Sequence, residues 1–367
     1  MTVTTLASVM TGARRLEVRE LPIPPGDSAS GLLFVEAAGV CGSDCGFYSR
    51  DLSLRVLGHE NVGVIAEIGA DAARRWGVSE GDRVALEEYL PCGHCSLCRT
   101  SEFRLCHASD PASGPAAIRY GSTPLETAPG LWGGYSQYLY LHPSAVLHRV
   151  DATVPAVRAS LALPVANGYQ WTYLDGGAGP GKAVLVMGPG QQGLACAMVA
   201  KHVGADPIIV TGLRRDAARL DMALRLGATA TVCVEDEDLR ERVRDITNGE
   251  MVDLVIDTAF GGDATLSPAV DLLRMRGTLV VPAATSGPLS QFQMRLVTQK
   301  YLTVKGVRGH SYESVEWALG TLRDRPDDLN QMCSLEVGLD EVDKAIRATA
   351  GELEDTPVIH AVVRPNG

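Results

Sequence analysis

A chain of 367 residues, 46% of them hydrophobic, is long enough to bury a full apolar core in each of two domains. Its formal net charge of -11 excludes the basic footprint that nucleic acid or an anionic membrane surface requires, which leaves small molecules as the expected partners. The opening MTVTTLASVMTGARRLEVRE has no basic start followed by an unbroken apolar run, and no window approaches a membrane span, so a cytoplasmic protein is expected.

From the N-terminus to about Val150 the chain reads as short strands broken by Gly and Pro: LEVREL, GLLFVEAAGV, NVGVIAEIG and DRVALEEYL carry the aliphatic and β-branched content of a barrel or sandwich. Two short motifs lie between these strands. GVCGSD at 39–44 and GHE at 58–60 offer Cys41 and His59, a soft and a borderline zinc ligand. Asp44 and Glu60 beside them are carboxylates able to orient an imidazole or bind metal. By spacing alone these are equally well packing residues.

PCGHCSLCRTSEFRLC follows, with four of the nine cysteines: Cys92, Cys95, Cys98 and Cys106. A disulfide staple suits a small secreted domain, whereas this chain is large and lacks a secretory start. The spacing C-x2-C-x2-C-x7-C lets one loop wrap a tetrahedral ion with four thiolates and leaves no open position, which is a structural zinc site. His94 inside the loop is then a solvent-facing side chain. Cys45, Cys196, Cys233 and Cys333 are expected to be buried or unreactive thiols.

The rhythm changes at KAVLVMG, 182–188. Buried strands PIIVTG, TVCV, VDLVIDTA and GTLVVPAA (277–284) alternate with helices through RDAARLDMALRLGA, EDLRERVRDI and SPAVDLLRM, the pattern of a doubly wound parallel sheet. The first strand runs into Gly188, Gly190 and Gly193, with Gln191 and Gln192 between them, and then into a helix. In this context G-x-G-x-x-G is a dinucleotide site: the glycines permit a tight turn and close approach of pyrophosphate to the helix N-terminus. An NAD site places a carboxylate at the end of the next strand, but here stand Thr211 and Gly212, followed by Arg214 and Arg215. Two guanidiniums and no carboxylate favour the 2'-phosphate of NADP, with NAD as the alternative if the arginines only begin a helix capped by Asp216. After residue 300, YLTVKGVRG, a helix at SYESVEWALGTL and the terminal VIHAVVRP break the alternation and are expected to add strands to the first domain.

Together LEVRELPIPP, VEAAGVCGSD, VLGHENVGVIAEIG, GDRVALE, the cysteine loop, GGYSQYLYL, the glycine fingerprint and VDLVIDTA resemble the medium-chain dehydrogenase/reductase superfamily, in its zinc-dependent alcohol dehydrogenase-like branch. The resemblance covers nearly the whole chain. It implies an α/β protein: a GroES-like, β-rich catalytic domain at 1–155, completed by 300–367, and an inserted Rossmann domain, a doubly wound parallel sheet, at 156–299. It also implies an active site in the cleft and hydride transfer between a nicotinamide and an alcohol or carbonyl substrate, with NADP(H) the cofactor that the end of the second strand favours; a homodimer or homotetramer is expected. In the family a catalytic zinc is held by Cys, His and a third ligand just before the Rossmann domain. Cys41 and His59 match the first two, but the third position is Leu163, which cannot ligate a metal.

Glu60 is the expected replacement, giving a Cys41, His59, Glu60 zinc site, with Glu88 a distant second candidate. The resemblance further implies that Ser43 bridges the substrate oxygen and the cofactor ribose and that Asp44 bonds His59. The histidine that often continues the proton relay is replaced by Gly46. Tyr89, Tyr120, Trp132 and Trp171 lie near segments that approach the cleft in relatives, or are core aromatics. Two rivals remain: a same-fold reductase without catalytic zinc acting on an alkene or imine, and a non-catalytic NADP-binding protein.

Overall fold

The computed structural model of the protein describes residues 3–114, 116–282, 288–353 and 355–367. Among the described residues the aliphatic runs become sixteen strands. The first eight are β1 (Thr4–Gly12), β2 (Arg15–Pro22), β3 (Gly31–Gly39), β4 (Arg55–Val56), β5 (Glu60–Ile68), β6 (Arg83–Leu86), β7 (Tyr138–Leu141) and β8 (Leu147–Arg149). Next come β9 (Val184–Met187), β10 (Ile208–Gly212), β11 (Ala230–Cys233), β12 (Val252–Asp257), β13 (Leu273–Val281) and β14 (Thr303–Gly306), and the chain ends with β15 (Cys333–Val337) and β16 (His360–Val363). The chain divides into two compact units, Met1–Leu163 with Ala318–Gly367, and Pro164–Trp317.

The first unit is β-rich. One sheet has the order β2-β1-β4, and a larger one runs β15-β16-β3-β5-β6-β8 with β7 also on β3. Their inner faces meet in a core that includes Val9, Leu33, Val35, Ile65, Leu86, Leu139 and Val363. The register of the antiparallel pair β3 and β5 sets Gly39 opposite Glu60. Residues just after β3 and just before β5 therefore leave the sheet at the same end, which brings Cys41 and His59 together. β16 lies antiparallel on the other side of β3 with Val362 opposite Gly39, and so delivers His360 to that end as well.

The second unit holds a six-stranded parallel sheet in the order β11-β10-β9-β12-β13-β14. Counted from β9 this is 3-2-1-4-5-6, the Rossmann order, whose direction reverses between β9 and β12. Both of these strands are buried along their whole length, which explains their unbroken apolar composition. Thr303–Gly306, expected to join the first domain, instead pairs in parallel with Thr278–Val281 and forms the sixth strand of this sheet. The tail returns to the first unit from Ala318 onward, and of its strands β15 and β16 join the larger sheet there. The helix expected through SPAVDLLRM begins earlier, at Asp263, and ends at Leu272, so Arg274 and Met275 belong to β13. Ala283 and Ala284, the end of the strand expected over 277–284, lie outside the described residues. Among those residues no helix is long and apolar enough to cross a membrane.

Close packing at the fingerprint turn leaves one position no freedom. A Cβ on Gly193, in the helix Gln191–His202, would lie 1.9 Å from the Gly188 carbonyl oxygen and 2.7 Å from Thr258 Oγ1. Gly193→Ala must push this helix off the sheet, at an overpacking cost of about 1–3 kcal/mol. Calorimetry should show Tm falling by roughly 5 °C, given 2–4 °C per kcal/mol for a domain of this size.

Candidate functional site

The cysteine loop closes on itself. The Sγ atoms of Cys92, Cys95, Cys98 and Cys106 all lie within 4.8 Å of one another, with Cys92 to Cys98 at 4.0 Å and Cys95 to Cys106 at 3.9 Å. Four thiolates on a tetrahedron about 2.3 Å from a central ion would stand about 3.8 Å apart, so the donor set fits zinc. Main-chain amides point inward: Cys92 N–H donates to Cys106 Sγ, Cys95 N–H to Cys92 Sγ and Cys98 N–H to Cys95 Sγ, at 3.3–3.4 Å. The amides of His94 and Cys95 pull the Cys92 thiol down to about 6, while burial and the neighbouring thiols push Cys98 up to about 12. Four thiols this close ionise together only around a cation. All nine cysteines are free, and His94 is exposed with its Nδ1 2.8 Å from the Cys92 carbonyl oxygen.

The second cluster stands at the shared end of β3 and β5. Ligand atoms of Cys41, His59 and Glu60 lie within 4.8 Å of one another. Cys41 precedes the short helix Gly42–Tyr48, and Asp44 in its first turn accepts the Cys41 N–H through Oδ2 at 2.9 Å. Asp44 Oδ1 stands 3.5 Å from His59 Nδ1, and Tyr135 Oη donates to Asp44 Oδ2 at 3.1 Å. With Nδ1 facing a carboxylate, Nε2 is the nitrogen left to ligate. Ser43 is exposed, with Oγ 3.5 Å from that Nε2.

Burial dominates the electrostatics. It raises the Cys41 thiol, helped by Glu60, and pushes the Glu60 carboxyl up to about 8 against the pull of His59. Burial works to lower the His59 pKa, but the Asp44 carboxylate outweighs it and holds the ring well above its usual value. Burial thus disfavours the ionised forms of Cys41 and Glu60, and a divalent ion is the counter-charge that would favour them. Thiolate, imidazole and carboxylate form a zinc donor set that leaves a fourth position open.

Among the described residues no other expected residue adds a ligand atom to this trio. Leu163 is buried and brings no donor atom. Glu88 is not in the cluster: it is ion-paired with Arg119. Burial opposes its ionisation, but Arg119 and then His59 hold it at about 2. The Arg119 guanidinium lies 5.2 Å above the Tyr89 ring. Tyr89, Tyr120 and Trp132 are core residues at 1–2% exposure, and Trp171 is buried with its indole N–H on the Gly309 carbonyl. Cys196 is buried, while Cys45, Cys233 and Cys333 are half-buried. His360, unremarked in the sequence, is fully buried, with Nε2 2.9 Å from Ser160 Oγ, and burial pushes its pKa down to about 3. A Cβ on Gly39 would lie 2.4 Å from Glu60 Oε2 and 2.6 Å from His360 Cε1, so the first glycine of GVCGSD is the gap through which these two side chains approach.

In the second unit the fingerprint turn joins β9 to the helix Gln191–His202, with Gly190 as its N-cap, and a Cβ there would meet nothing within 4 Å. Gln191 is buried and Gln192 half-buried. Thr211 and Gly212 end β10. Asp216 accepts the Leu213 N–H at 3.0 Å and pairs with Arg219 at 3.1 Å. Arg214 is turned onto Asp236, Nε to Oδ1 2.8 Å, and its N–H donates to Glu235 at 2.6 Å. Arg215 is exposed and makes no ion pair among the described residues.

Comparison with known proteins agrees with this layout. Residues 27–152 match the family model of the alcohol dehydrogenase GroES-like domain, and residues 193–324 that of the zinc-binding dehydrogenase. The chain is 37% identical to the probable alcohol dehydrogenase adh of Mycobacterium tuberculosis, covering 98% of both chains. It is 29% identical to the sorbitol dehydrogenase of Halalkalibacterium halodurans, covering 94% of this chain and 95% of that one. The structure of the alcohol dehydrogenase TADH from Thermus sp. ATN1 superposes with a TM-score of 0.84 at 26% identity, covering 98% of this chain and 99% of that one. The chain therefore belongs to the zinc-type alcohol dehydrogenases of the medium-chain dehydrogenase/reductase superfamily and is an alcohol dehydrogenase-like oxidoreductase.

Proposed function

We propose that this oxidoreductase transfers hydride between NADP(H) and a small alcohol or carbonyl compound, with one zinc ion in the Cys41, His59, Glu60 cluster and a second in the four-cysteine loop. The observation that carries it is the convergence of three donor atoms within 4.8 Å although Leu163 offers none. Zinc supplies Lewis acidity toward the substrate oxygen, and the nicotinamide supplies or accepts hydride. The chain's own residues do the rest. Asp44 holds the His59 tautomer, Glu60 takes the corner that Leu163 cannot fill, and exposed Ser43, 3.5 Å from His59 Nε2, passes a proton between the substrate oxygen and water. The four-cysteine loop, with no open position, is assigned to structure alone.

The cofactor preference rests on Gly212, which ends its strand without a carboxylate, and on Asp216, whose oxygens are engaged by Leu213 and Arg219. Arg214 is already held by Asp236, so Arg215 becomes the main partner for a 2'-phosphate. A homo-oligomer is supported by β14, an edge strand with Val304 44% exposed, near Tyr301 at 80% and Met275 at 65%. Buried, aliphatic Leu163 favours a second reading: a same-fold reductase without catalytic zinc.

Metal analysis of freshly purified protein separates the two, because the first requires two zinc ions per chain and the second one. Cys41→Ala should leave one zinc and a native Tm while cutting turnover by about 10³-fold, the scale of several kcal/mol of Lewis-acid stabilisation. Wild-type turnover in that variant would remove zinc from the mechanism. Cys95→Ser should instead lose the other ion and melt several degrees lower, checked by calorimetry. Arg215→Ala should raise the KM for NADP by about 10-fold or more and leave that for NAD unchanged, whereas tighter binding of NAD than NADP by the wild type would refute the preference.

A further inference from the structure

Tyr135 is 0% exposed, and its position is set by both loops of the proposed zinc site. Its main chain is tied to the His59 loop: Tyr135 N–H donates to the Leu57 carbonyl at 3.0 Å, and the preceding Gly134 N–H to that of Gly58 at 2.9 Å. Its ring slides against Gly58, where a Cβ would lie 2.6 Å from Tyr135 Cδ1 and 2.7 Å from Cε1. Gly58 also has φ +91°, a left-handed conformation that admits glycine and turns the chain directly into His59. The far end of the same side chain belongs to the other loop, since Oη donates to Asp44 Oδ2 at 3.1 Å.

We infer that Tyr135 is a positioning residue for the zinc site, a brace that fixes Asp44, and through it His59, relative to Cys41. Asp44 Oδ2 receives two hydrogen bonds, from the Cys41 N–H and from Tyr135 Oη, which leaves Oδ1 for His59 Nδ1. Asp44 is 0% exposed, so water does not replace a missing donor. Burial and the Asp44 charge hold the phenol well above its usual pKa, and it stays a donor. A phenylalanine would fill the same core space and brace nothing. The inference rests on the zinc reading above and adds to it a residue outside the ligand set.

The test compares full-length wild type, Tyr135→Phe, Asp44→Asn and the double variant, in zinc content under graded chelator, Tm, and kcat and KM. Tyr135→Phe should keep the four-cysteine zinc and weaken the other by about 10-fold or more, the usual effect of losing an outer hydrogen-bond partner of a metal ligand. Its kcat should fall while the KM for cofactor holds. Because Tyr135 acts through Asp44, adding Tyr135→Phe to Asp44→Asn should cost no further zinc affinity. A wild type with two zinc ions and a Tyr135→Phe variant of equal affinity would overturn the role of Tyr135 and spare the zinc reading, as would losses that multiply in the double variant. A wild type with one zinc ion overturns both.

Discussion

Burying acids, thiols and an imidazole together at one end of a β-sheet is costly unless their charges balance, and much of the first unit's local structure follows from that constraint. Beside His59, Asp44 is fixed by two donors, the Cys41 N–H and Tyr135 Oη. The interior resists ionising the other two acidic groups, Cys41 and Glu60. A cation, as in the proposed zinc site, would supply the balancing charge. The cysteine loop meets the same constraint with main-chain amides aimed at sulfur.

Strand geometry explains how adjacent residues His59 and Glu60 can serve one site. Within a strand, successive side chains point to opposite faces. His59 escapes that alternation because β5 begins only at Glu60, and the turn at Gly58 sets the imidazole's direction independently of the sheet. A ligand at position 60 is thus available to a chain that has an aliphatic residue at 163. In the proposed zinc site, Glu60 would supply the third donor in place of position 163 with no change in the sheet.

Those parts of the molecule that depend on local pattern were legible in the sequence. Buried strands of the parallel sheet, the glycine turn and the cysteine spacing each follow from neighbours a few residues apart, and the structure places them where periodicity and spacing put them. What depends on distant pairing was not. β14 looks like a strand in either domain until its register with β13 is known. The pairing of Arg214 with Asp236 crosses 22 residues and turns aside one of two guanidiniums assigned to a phosphate. Tyr135 reaches the site through a contact that spans 91 residues, His360 approaches Glu60 across the gap at Gly39, and neither belongs to a ligand motif. A local clue lay in the glycines at 39 and 58, within two residues of Cys41 and His59, each marking a place where a side chain from elsewhere needs room.

That second glycine has an implication for how such a chain can drift. Positions 58 and 135 occupy one shared volume, so each limits the other: a methyl at 58 would displace the ring, and truncating the ring would open a void against Gly58. Because the left-handed turn disfavours any other residue at 58 whatever stands opposite, a change in this layer is expected on the phenol side of the couple.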